Sequence, residues 1–121
     1  MLKTLNNFTS LINRYEMLVV SRFIPYPAMA MYPLIMVRDS RHLSDQVLLN
    51  HERIHHRQQV ELFILPFYIL YGFNYLVNLV RYKNHDQAYR KIIFEQEAYS
   101  NEEDRLYLTK RKRWACFLIK S

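Results

Sequence analysis

Asn50-His51-Glu52-Arg53-Ile54-His55-His56-Arg57-Gln58-Gln59 holds the pattern His-Glu-x-x-His in a segment that reads as helix. Residues four apart on a helix share a face about one turn apart, so the imidazoles of His51 and His55 can converge on one metal ion while Glu52 projects beside them. This spacing belongs to zinc-dependent hydrolysis. A catalytic zinc takes three protein ligands and keeps a fourth position for water, so a third ligand has to come from elsewhere in the chain.

Outward from this stretch, Ser44 or Asp45 is placed to cap the helix, after the polar loop Arg38-Asp39-Ser40-Arg41-His42. The helix is expected to set Val47, Leu48, His51, His55, Gln58 and Leu62 along one buried side. Upstream, the run Met17-Leu18-Val19-Val20 and the prolines at 25, 27 and 33 predict extended structure over Tyr15 to Val37. Met29 to Val37 reads as one edge strand broken at Pro33, where a missing amide donor is tolerated. An edge strand beside a metal helix is a place where a peptide substrate can be added as a further strand. Leu2, Leu5, Phe8, Leu11 and Ile12 predict a short amphipathic helix before it.

Downstream, Leu62 to Val80 carries no charge and is followed by Arg81 and Lys83. As a straight helix it would be roughly 28 Å long, near the thickness of a bilayer core. Pro66, Gly72 and the polar pair Asn74 and Asn78 favour instead a kinked core helix or two short ones, with a membrane-inserted or membrane-lying segment as the alternative. One long helix is expected from Gln87 to Leu108, with Ala88, Ile92, Glu95, Tyr99, Glu102 and Leu106 along one stripe, and Trp114 to Ile119 should dock on the domain. Two carboxylates in it are candidates for the third ligand. Glu95 and Glu97 lie about 200° apart around a helix, so only one can face the metal. Glu95 is favoured because its stripe looks buried, whereas Glu97 sits with Lys91, Ser100 and Asp104.

The 121 residues suit a single domain, and half of them are hydrophobic with one glycine, which favours helices over a turn-rich sandwich or barrel. The one cysteine, Cys116, excludes an intrachain disulfide and reads as a small core residue. The net charge of +6 gathers at Lys110-Arg111-Lys112-Arg113, at Arg53 and Arg57 with two histidines, and at Arg81 and Lys83; such clusters attract phosphate, anionic lipid headgroups or an acidic partner, and a solvated surface face is their commoner explanation. No nucleic-acid motif accompanies it, and none is expected to bind. The first ten residues lack the continuous apolar core of a signal peptide, so the expected location is the cytoplasm or the cytoplasmic face of a membrane.

His51-Glu52-Arg53-Ile54-His55 followed by a helical glutamate is similar to the gluzincin metallopeptidases, and the small size resembles the single-domain minigluzincins. The run from Asn50 to Glu61 with Phe94-Glu95-Gln96-Glu97-Ala98-Tyr99 also resembles a set of small uncharacterised bacterial proteins. The resemblance bears on residues 48 to 61 and 88 to 102. It implies a mainly α (α+β) domain with an active-site helix, a glutamate helix and a short N-terminal edge strand or hairpin, one zinc per chain, and hydrolysis of peptide bonds. Residue by residue, His51, His55 and Glu95 match the zinc ligands and Glu52 the general base. Gluzincins often carry an aspartate four residues after the ligand glutamate to orient a zinc histidine. Here that position is Tyr99, with Glu102 one turn further on.

On this reading Glu52 accepts a proton from a metal-bound water and passes it to the leaving amine. His85, Tyr89 and His56 are candidate donors to the oxyanion, and the sequence does not choose among them. His56 follows the second ligand and is expected at the surface, His42 and His85 in loops or caps, and Gln58 and Gln59 as bridges between helices. Two other classes compete: a non-catalytic domain whose zinc holds two helices together, and a membrane-peripheral adaptor built on the apolar middle and the basic tail.

Overall fold

A computed structural model describes residues 17–118. The expected N-terminal amphipathic helix lies outside them. Three short strands come first: β1 (Met17–Val20), β2 (Ala28–Met31) and β3 (Leu34–Val37), ordered β1-β3-β2, with β1 parallel and β2 antiparallel to β3. Met29 to Val37 is thus not one interrupted strand. Pro33 sits in the turn of a hairpin, after a cis Tyr32–Pro33 bond, so its missing amide lies outside the ladder. The expected edge strand is β2.

Five helices follow: α1 (Gln46–Glu61), α2 (Leu65–Tyr82), α3 (His85–Arg90), α4 (Ile93–Asn101) and α5 (Tyr107–Lys110), with 3-10 turns at Ser40–Ser44 and Ala115–Phe117. The fold is mainly α with a small sheet, as expected. Of the two candidate caps Asp45 serves, its side chain accepting from the Leu48 amide at 3.1 Å.

α1 runs through the middle. On one side Leu49 packs with Ala28, Ile35 and Val37 of the sheet, and on the other Ile54 packs with Ala98 and Leu108. Burial runs almost without a break from Leu49 to Gln59 and goes round the helix, rather than following the expected stripe, whose member Val47 is exposed. A third cluster, Phe67, Ile92, Phe94 and Cys116, seats α2 and the C-terminal turn against α4. Cys116 is buried as expected, and burial pushes its thiol up to about 12. Trp114, Phe117 and Leu118 stay exposed, so the described part of the expected C-terminal run docks only in part, and Ile119 lies outside the described residues.

The apolar middle departs from expectation. α2 is a single helix, because Pro66 falls in its first turn, where no intrahelical donor is needed, and Gly72 sits in its interior without breaking it. The break lies earlier, at Phe63 and Ile64, both at positive φ, and α1 and α2 meet there at 113°. Nor is α2 a core helix: only Phe67 and Asn78 are buried. No single described helix is long and apolar enough to cross a membrane.

The expected long helix over 87–108 is three pieces. Ile92 is extended between α3 and α4, where the Asn74 side chain accepts from the Ile93 amide at 2.9 Å. The chain turns again after Asn101, and the buried Asn50 amide donates to the carbonyls of Asn101, Glu102 and Asp104 at 3.4, 2.8 and 3.0 Å. Side chains from neighbouring helices supply the bonds that a continuous helix would have made internally. Leu106 is consequently exposed rather than on a buried stripe.

Candidate metal centre

The turn between α3 and α4 brings Glu95 across to α1. Its Oε1 lies 3.1 Å from both His51 Nε2 and His55 Nε2, and the two nitrogens are 3.2 Å apart. All three residues are buried, and together they form a group that can hold a metal ion. Tetrahedral ligands with bonds of about 2.05 Å stand roughly 3.3 Å from one another. The triangle therefore has the right size.

Its chemistry points the same way. His51 Nδ1 lies 2.7 Å from Glu102 Oε2, a carboxylate that only accepts, so this nitrogen carries the proton. Gln58 Nε2 donates to Phe94 O at 3.0 Å and to Glu97 Oε1 at 2.9 Å, which turns Gln58 Oε1 toward His55 Nδ1 at 2.8 Å and assigns a proton there too. In the neutral rings both Nε2 atoms are then lone pairs, facing each other and a carboxylate oxygen. Three acceptors at this spacing need a cation or a proton between them. Burial disfavours charge on His55, but the Glu95 carboxylate and its hydrogen bond override it and raise the pKa to about 9. Burial works against the Glu95 charge too, yet His55, with hydrogen bonds from His51, His55 and Tyr71, holds that carboxyl well below the usual range. The group thus takes up positive charge, which a metal ion held by His51, His55 and Glu95 would supply in place of the proton.

Glu52 lies beside the ligands, 6 % exposed, and burial raises its pKa above that of a surface glutamate. It lines a cavity of about 420 Å³ with His55, Glu95 and the edge strand residues Ala28, Met29 and Ala30. Tyrosines 26, 68, 71, 75 and 89 and Phe67 form the apolar remainder. Of the candidate donors, Tyr89 and His85 line this cavity, with His85 Nδ1 2.7 Å from the Tyr75 hydroxyl. His56 does not. It is buried, correcting the expectation of a surface residue, because α1 is covered by the sheet on that side. Its Nε2 donates to Leu34 O at 2.8 Å, Nδ1 has no partner among the described residues, and burial lowers its pKa to about 4.

The Tyr99 position is resolved by division of labour. Glu102 binds His51 Nδ1, and the Tyr99 ring packs edge-on to His51 with centroids 4.6 Å apart. Orientation of the first histidine thus comes from a carboxylate seven residues after Glu95. Glu97 corrects a second expectation: it faces away from the metal group but not toward solvent. Fully buried, it accepts from Gln58, Tyr107 and Arg111, and Arg111 also donates to Glu61 at 2.9 Å. Arg111 and Arg57 are therefore buried members of what looked like surface basic clusters.

One contributor was not anticipated, and Gln59, expected as a bridge between helices, reaches Tyr68 of α2 at 3.4 Å but chiefly joins the sheet. Tyr71 donates to Glu95 Oε2 at 2.6 Å and fixes the carboxylate's second oxygen. Gln59 donates to Ala30 O at 2.9 Å and accepts from the Tyr32 amide at 2.7 Å, copying the pairing of a neighbouring strand. With Tyr68 also donating to Ala30 O at 3.1 Å, the end of β2 is already engaged, and an added strand has the part before it. Gln59 carried the only local signal, as a residue one turn beyond His55.

No family model, no curated protein and no solved structure matches the chain.

Proposed function

We propose that the chain is a zinc-dependent, gluzincin-like metallopeptidase that hydrolyses peptide bonds with Glu52 as general base. The observation that carries this reading is the convergence of two imidazole lone pairs and one carboxylate oxygen, with Glu52 beside them, at the wall of a cavity that an edge strand borders. His51, His55 and Glu95 would hold the ion. Zinc, when bound, supplies Lewis-acid polarisation of a carbonyl and a water acidified to a pKa of about 7.

The chain's own residues do the rest. Burial makes Glu52 a stronger base than an exposed carboxylate, so it can take the proton of the attacking water and return it to the leaving amine. Glu102, Gln58 and Tyr71 hold the three ligand side chains from behind. Tyr89 and His85 are the cavity-lining donors suited to a developing oxyanion. The free part of β2 supports an extended peptide, and the aromatic wall favours an apolar side chain.

Metal content of wild type, His51→Ala and Glu95→Gln is the first test, with about one zinc per chain expected in wild type, loss in His51→Ala and weakening in Glu95→Gln. Peptide-library cleavage by wild type and Glu52→Gln is the second. Zinc binding without cleavage by either protein, and with unfolding on chelation, would replace the enzyme by a zinc-stabilised interaction domain.

A further inference from the structure

The outward side of α2 is an apolar surface that the fold leaves unused. At 100° per residue, Tyr68, Leu65, Ile69, Phe73, Val77 and Leu70 sweep roughly 200° of the helix, and every one of them is exposed, Leu65, Ile69 and Phe73 by 67, 63 and 65 %. The polar stripe belongs to the opposite side. Asn74 accepts from the Ile93 amide and Asn78 donates to Ala88 O at 3.1 Å, so the asparagines fasten α2 to α3 and α4.

Charge is arranged around this arc rather than in it. Between residues 62 and 80 there is none, and between 81 and 91 stand Arg81, Lys83, Arg90 and Lys91 against the single carboxylate of Asp86, which Arg90 engages at 3.6 Å. Arg81 and Lys91 lie over the Tyr82 ring, 5.8 and 5.2 Å from its centroid, at the end of the apolar run. An apolar arc ending in exposed cations and an aromatic ring is the composition of a helix that lies in a lipid interface.

We propose that α2 docks flat on an anionic membrane, its outward arc at the headgroup–hydrocarbon boundary and Arg81, Lys83 and Lys91 against lipid phosphates. The width of the arc decides for lipid. One packed helix covers a stripe of about 100°, so a second copy pairing through α2 would leave half of the surface in water, whereas a lipid phase wets all of it. No single described helix is long and apolar enough to cross a membrane, and α1, which precedes α2, meets it at 113° and carries the buried metal-binding group, so α2 is set to lie on the surface rather than to span. Tyr68 borders the arc and also lines the cavity, so docking sets the cavity mouth at the lipid surface. On the peptidase reading, on which this consequence alone rests, the substrates are polypeptide segments presented at a membrane.

Vesicle flotation tests the docking apart from the chemistry. The full chain is mixed with vesicles of phosphatidylcholine, with and without phosphatidylglycerol, at low and high salt. Beside it run His51→Ala, the pair Ile69→Glu and Phe73→Glu, and the pair Arg81→Gln and Lys83→Gln, with circular dichroism of each. Wild type and His51→Ala should float alike with the anionic vesicles, less at high salt. The two glutamates should lower the partition about tenfold or more, and each removed cation about fivefold. Absence of flotation from folded wild type, or a dimer by light scattering that Phe73→Glu dissolves without flotation, would overturn the proposal. Either result leaves the metal assay untouched.

Discussion

α1 and α2 are neighbours in sequence and opposites in placement. The first holds two charged arginines, two glutamates, three histidines and three glutamines or asparagines between residues 50 and 61, and is buried from Leu49 to Gln59 almost without interruption. The second has no charge before Arg81 and turns most of its surface outward. Hydropathy alone would exchange their positions. Burial of α1 is sustained because its polar groups have partners on every side: Asn50 holds the turn after α4, Gln58 joins His55 to Glu97, Gln59 joins the sheet, and the histidines meet Glu95, Glu102 and Leu34. A buried polar network is stable when every member is satisfied and costly when one is removed. Changes on α1 or its partners should therefore be severe, and changes on the outward side of α2 nearly silent.

The largest effect is expected at Arg111. Its guanidinium sits between Glu61 and Glu97, both of which would lose their hydrogen-bonded cation, so Arg111→Met should lower unfolding free energy by about 3–5 kcal/mol in urea titration. A loss under 1 kcal/mol would mean that the network is not closed and that α1 is less enclosed than described.

His56 gives the next test, as a pH dependence. Its pKa is near 6.5 unfolded and lowered to about 4 in the fold, because burial disfavours the charged ring, whose Nδ1 has no partner among the described residues. The unfolded chain therefore binds more protons between pH 6.5 and 4. The stability contributed by neutral His56 is complete above pH 6.5, declines as pH falls through that window, and is lost by pH 4, by up to ~3 kcal/mol. Wild type minus His56→Asn, measured at successive pH values, isolates that slope, and parallel curves would show that His56 is not enclosed.

A smaller effect, read at the metal, is expected one layer out, beside the stability that Gln58→Leu also loses by removing the donor to Phe94 O and Glu97 Oε1. Glu102→Ala removes the acceptor at His51 Nδ1 and Gln58→Leu the one at His55 Nδ1. On the proposed zinc reading, each should weaken the metal about 10–100-fold in competition with a chelating dye. Equal affinities in wild type and both variants would mean that the imidazoles need no outside orientation.

Legibility followed the range of each interaction. His51, Glu52 and His55 were readable because one helix turn puts them together, and Glu95 because the alternative, Glu97, lies on the other side of the same helix. The hairpin differed from the expected single strand by one turn, since a proline in the turn and a proline at a strand edge look alike in sequence. His56 and Glu97 were misplaced for one reason. A charged or polar residue off the metal face is ordinarily solvated, and the sheet over His56 and the side chains of Gln58, Tyr107 and Arg111 around Glu97 change that. None of these contacts has a local signal, those to the sheet and to Arg111 being formed with residues 22 and 14 positions away in the chain. Tyr71 was hidden likewise within a run read as apolar packing.

The smallest effect is the most diagnostic for α2. Ile69→Gln and Phe73→Gln replace large apolar side chains in the most hydrophobic stretch of the chain, and on sequence grounds each resembles a core substitution costing several kcal/mol. In the fold these side chains are 63 and 65 % exposed, so little apolar area leaves water when the chain folds, and exposed glutamine is at ease in a helix. Each variant should stay within about 0.5 kcal/mol of wild type in urea. Phe67→Ala, on the buried side of the same helix, should lose about 3–5 kcal/mol. A core-sized loss at Phe73 as well would place the outward arc against protein and remove the ground for setting it on lipid. Silence at Ile69 and Phe73 beside a large loss at Phe67 would leave an apolar surface that folding does not require, kept for a contact outside the chain.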